Sequence, residues 1–158
     1  MSVDPNWTRW IAASLDQHFK ESLADSGLTL FVEGQLRRTD HCEDYAELRY
    51  TGPRINELSR NYWQIDVDLD VLVVSKSKNT SIFGPEVDVG KVLAAFTEDI
   101  PVFKYGNGPD DDPNVQLGCL LLNRDDGEIL VNNFGYPQDQ VRLRQASVEA
   151  CYRMNLTT

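Results

Sequence analysis

The sequence predicts an α+β fold: a mixed, largely antiparallel sheet with a long β-hairpin and two helices packed on one side. Three observations carry that prediction. Trp7, Trp10, Ile11, Leu15, Phe19 and Leu23 recur at steps of three and four, the period of a helix with one apolar stripe. Trp63, Ile65, Val67, Leu69, Val71 and Val73 alternate with Asp66, Asp68 and Asp70, the period of a strand with one buried face and one wet face. Val89, Val92, Leu93 and Phe96 return to helical spacing. The 158 residues read as one domain, 1–158, with no internal repeat, low-complexity stretch or linker.

The first helix opens at Asp4 as N-cap, with Pro5 in the first helical position, where its missing N–H costs nothing. His18 and Ser22 flank its apolar stripe. Asp25-Ser26-Gly27 ends it, Gly27 supplying the positive φ of a C-cap. A short strand covers Leu28 to Val32, and the polar, aperiodic stretch from Gln35 to Asp44 reads as a loop. Tyr45 to Glu57 and Asn61 to Lys76 follow as two long strands joined at Leu58-Ser59-Arg60. Gly52-Pro53 interrupts the first arm, and because proline cannot donate to a ladder, that arm is expected to be bulged or to lie at a sheet edge. Ser75 to Ser81 is a polar loop. The second helix has Pro85 near its start and Glu86 and Asp88 in the first turn, with Pro101 as its stop. Ile100 to Tyr105 is a short extended piece, and Gly106 to Asn114 is turn chemistry throughout. Val115 to Asn123 reads as a buried strand, Arg124 to Gly127 as a tight turn and Glu128 to Asn132 as a short strand. After the loop Phe134-Gly135-Tyr136-Pro137, a final long strand carries Ala146, Val148, Ala150, Tyr152, Met154 and Leu156 on one face.

Lysine and arginine number 15 against 25 aspartates and glutamates, a net charge of −10. That sign opposes a protein whose whole surface grips nucleic acid or an anionic membrane. Cys42, Cys119 and Cys151 form neither CxxC nor CxxH, which argues against a disulfide framework or a zinc site and for a reducing compartment. Met1 to Asn6 lacks the basic and then apolar run of a secretory leader, and no stretch reaches the roughly 20 apolar residues that span a bilayer. Neither leader nor membrane is expected.

Chemistry is sparse. His41 and Cys42 are adjacent on a polar loop, where neighbouring side chains point apart, so a nucleophile–base pair is a poor reading. Asp66, Asp68 and Asp70 stand roughly 7 Å apart along one strand face, too far for two to share a cation unaided. Asp110-Asp111-Asp112 lacks the glycine and glutamate of a calcium loop. No phosphate-loop, dinucleotide, nucleophile-elbow or zinc-helix string occurs. The expectation is no catalytic residue, cofactor or metal. A hairpin of about a dozen residues per arm exceeds the usual strand length of about 5–6 and offers edges that invite another copy. Trp7, Trp10, Tyr62 and Trp63 are the candidates for contacts between subunits, since such side chains are enriched in interfaces. Plain core is the competing reading for them.

An amphipathic N-terminal helix, a hairpin whose second arm reads Asn61-Tyr62-Trp63-Gln64-Ile65-Asp66-Val67-Asp68-Leu69-Asp70-Val71, a helix and closing strands resemble the tail-terminator proteins of long-tailed bacteriophages. The closing stretch from Gln145 to Leu156 is similar to how those chains end. The resemblance implies a structural virion protein, assembled in the host cytoplasm and located in the tail or neck. It implies a ring, usually sixfold, that caps the tail tube, ends its elongation and meets the head. The implied partners are further copies of the chain, the tail tube protein and a head-closure or neck protein, with DNA passing through unbound. Asp66, Asp68 and Asp70 would then line the lumen, where negative charge repels phosphates, or an inter-subunit seam. Two alternatives are another neck or tail-completion ring of the head-closure type and a metal-dependent hydrolase using the acidic residues.

Overall fold

The computed structural model describes residues 4–33, 44–75, 84–96, 99–106, 115–123, 129–134 and 144–157. Its elements in chain order are α1 (Trp7–Ser22), β1 (Thr29–Val32), β2 (Asp44–Ser59), β3 (Tyr62–Ser75), α2 (Gly84–Phe96), β4 (Ile100–Lys104), β5 (Val115–Leu122), β6 (Leu130–Phe134) and β7 (Arg144–Thr157). Of the expected loops Gln35 to Asp44, Ser75 to Ser81, Gly106 to Asn114, Arg124 to Gly127 and Phe134 to Pro137, only Asp44, Ser75, Gly106 and Phe134 are among the described residues, and Asp44, Ser75 and Phe134 belong to strands. His41, Cys42 and Asp110 to Asp112 also lie outside the described residues.

Helix α1 starts later than its capping signal implies. Asn6, not Asp4, is the N-cap. The Asp4 carboxylate accepts the Asn6 backbone N–H at 2.8 Å and the Asn6 side-chain amide at 3.0 Å, while the Asp4 carbonyl accepts the Trp7 N–H at 3.1 Å. Asp4 therefore closes a turn ahead of the helix, a conformation that its short side chain favours. The stripe from Trp7 to Leu23 is buried as its spacing requires. Gly27 has φ +81°, so the turn after α1 uses the one residue free of a Cβ penalty there.

The sheet has seven strands, in the order β1-β2-β3-β7-β5-β4, with β6 also paired to β7. Among the described strands, only β1 and β2 run parallel; every other pairing is antiparallel. The hairpin turns at Arg60-Asn61, with Ser59 opposite Tyr62 and Asn61 at φ +66°, one or two residues past the expected turn. Its first arm slips register between Thr51 and Arg54, at the interruption anticipated from Gly52-Pro53. The second arm is a central strand: β7 pairs with β3 along its whole length, from Tyr62 opposite Thr157 to Ser75 opposite Arg144. Pro101 does not stop α2, which ends at Phe96; it sits inside β4, an end strand of the sheet where a missing donor is tolerated. Strand β5 is not the buried strand that its apolar run implies, because only Leu120 along it is buried. Strand β6 lies two residues later than expected.

Both helices and one sheet face share a single hydrophobic core. Phe19 of α1 meets Phe96 of α2 edge-on with centroids 5.4 Å apart, and Phe96 leans on Tyr152 of β7 at 6.2 Å. The Tyr152 hydroxyl donates to the Phe96 carbonyl, which closes the end of α2 onto the sheet. His18 donates from Nε2 to the Ala95 carbonyl at 3.1 Å, a structural tie between the helices.

Candidate assembly surface

The two edges of the sheet differ in what covers them. At β4, Ser14 of α1 accepts the Phe103 N–H at 3.0 Å, and Trp10 Nε1 donates to the Tyr105 carbonyl at 3.3 Å. Helix α1 thus caps that edge. At the opposite end, β1 pairs with β2 only from Tyr45 to Leu48, and Glu33 adds one further bond to the Leu48 carbonyl. From Arg49 to Ser59 no described strand lies on the outer side of β2. That length is mostly exposed, and Leu58 at its tip is 54% exposed. An edge with open N–H and C=O groups accepts another strand.

The four candidate contact residues therefore divide. Trp7 and Trp10 are only 5% and 4% exposed, inside the chain's own core, and Trp10 is further engaged by Lys104 above its ring. They have little surface to offer a neighbour, which corrects the contact reading in favour of core. Tyr62 and Trp63 lie at the far end of the hairpin and are half-buried. The Trp63 indole N–H is buried without a hydrogen-bond partner.

The aspartate face also needs correction. Strict alternation implied a row of carboxylates open to water, but β3 has strands on both sides, and these bring arginines. Arg54 of β2 and Arg153 of β7 stand directly opposite Asp66 in register. Arg153 binds Asp66 through two bonds, Nε to Oδ1 at 2.8 Å and Nη2 to Oδ2 at 3.3 Å, and Gln64 adds a third at 3.1 Å. Asp66 is buried. The Arg153 guanidinium, before all other causes, holds its carboxyl below the ordinary aspartate range despite that burial. Arg54 instead reaches diagonally to Asp68, which it binds through its two terminal nitrogens, Nη1 and Nη2; that pairing holds the Asp68 carboxyl below the ordinary aspartate range and the Arg54 guanidinium above its own.

Asp70 is different. Arg49 stands opposite it on β2, yet the Arg49 Nε donates to Glu47 at 3.2 Å. Glu149 stands opposite on β7. One Asp70 oxygen is buried and unpartnered, and desolvation pushes its carboxyl above the ordinary range, with Arg49 opposing and Glu33 and Glu47 reinforcing that shift. Beside it runs an open groove of about 380 Å³, lined by Thr51, Asp68, Asp70, Leu130, Glu149 and Cys151 among others. Burial raises the Cys151 thiol as well, which favours its neutral form.

Arg54, Arg153 and Arg49 were not singled out from the sequence, because pairing across strands depends on register, and only the Gly52-Pro53 slip hinted at it. Ser14 was missed for another reason: a serine on the apolar side of a helix has no periodic signature. Among the described residues, no three His, Cys, Asp or Glu side chains are grouped to hold a metal ion. None of the described helices is long and apolar enough to cross a membrane. No protein-family model matches the chain, and no curated protein matches it either.

Proposed function

We propose that this chain is a structural protein of a long-tailed phage virion, forming a ring that caps the tail tube, ends its elongation and connects it to the head or neck. The observation that carries the reading is the β2 edge from Arg49 to Ser59, eleven residues beside which no described strand lies, on a hairpin paired with β7 along its other side. A closed ring needs each copy to offer a surface that a neighbour's different surface fits. A rigid three-stranded flank ending in one open edge suits that demand. The order of elements and the Asn61 to Val71 arm, which resemble tail terminators, supply the phage context.

In this reading the work is steric, with no bond chemistry. One face of the ring fits the last tube ring while the other fits the neck and refuses further tube protein, and such selectivity requires misfit as well as fit. Of the two placements for the aspartate face, charge pairing favours the seam. Asp66 and Asp68 are balanced by Arg153 and Arg54, which removes much of the reason to set them against DNA in a lumen.

The test is to assemble virions without this chain and image them. Tails of uncontrolled length, or tails unattached to capsids, are expected. Normal-length tails joined to heads would overturn the proposal. Electron microscopy of the purified protein alone and on tail tubes then asks whether rings form at tube ends.

A further inference from the structure

We draw no further inference here: the strongest candidate, the open groove on the aspartate face of the sheet between Asp70 of β3 and Glu149 of β7, is a cluster of carboxylates beside a half-exposed Leu130, and nothing among the described residues shows what covers it.

Discussion

Asp66, Asp68 and Asp70 share a strand, a face and a two-residue spacing, yet their neighbours give them three different energetic roles. Asp66 is buried against a guanidinium that grips it at two points, so replacing the carboxylate by an amide removes a charge-assisted pair from a buried site. Asp66→Asn is expected to cost about 1.5–3 kcal/mol, the range for a hydrogen-bonded charge, in urea denaturation. Asp68→Asn is expected to cost less than about 1 kcal/mol, because both partners of its ion pair are well exposed and water screens them. Equal losses at the two sites would contradict this ranking. Their pH dependence follows from the depressed folded-state values: the stability both supply is complete above the unfolded aspartate range, about pH 4, and is lost as pH falls through the lower folded values. Asp70 has the opposite sign. Its folded value is raised, so its burial costs nothing when the carboxyl is protonated in both states and costs progressively more as pH rises from about 4 past the folded value. Asp70→Asn should therefore raise Tm at pH 7 and leave it nearly unchanged at pH 3. A fall in Tm at neutral pH would show that Asp70 has a stabilising partner.

The long hairpin depends on one residue without a side chain. Gly52 adopts φ +107°, and a Cβ there would stand 3.0 Å from the Arg54 nitrogen and 3.1 Å from the Asp66 carbonyl oxygen, both backbone atoms that have little room to yield. Gly52→Ala is expected to destabilise by about 1–3 kcal/mol. Gly118→Ala is the contrast: its Cβ would meet only the flexible Met154 side chain. At the capped edge, Ser14→Ala leaves the Phe103 N–H without its acceptor and is expected to cost about 1–3 kcal/mol, with faster hydrogen exchange at Phe103 as the local check. These elements also mark how far the sequence could be read. Periodicity located both helices, the second hairpin arm and β7, since each buries one face and writes that burial as a period of 3.6 or 2. It misjudged β5, whose apolar run is largely exposed, and the wet face of β3, because a central strand gains neighbours on both sides that no single-strand pattern contains. Trp7 and Trp10 were ambiguous for the same reason. Large aromatic side chains serve core and interface alike, and only the position of β4 under α1 decided for core.

Among the described residues, both helices and the inner sheet face share one core and α1 closes the β4 edge, whereas the Arg49 to Ser59 edge has no described strand beside it and carries Leu58, one of five exposed large apolar side chains, near its tip. If that edge joins copies in a ring, its disruption must separate folding from assembly. Leu58→Lys makes this separation, because a lysine at an exposed strand end is accommodated by water in the monomer but opposes edge pairing. Monomer stability is expected to stay within about 0.5 kcal/mol of the parent, as for surface changes without buried partners. Ring formation on tail tubes, viewed by electron microscopy, is expected to be lost. Rings of normal shape from the Leu58→Lys protein would rule out this hairpin tip as a seam, while loss of rings together with a lowered Tm would trace the defect to folding instead. A further charge change at the same edge, Glu57→Lys, sharpens the test: if the parent forms rings and edge pairing governs their closure, the double variant remains a folded monomer at concentrations where the parent assembles.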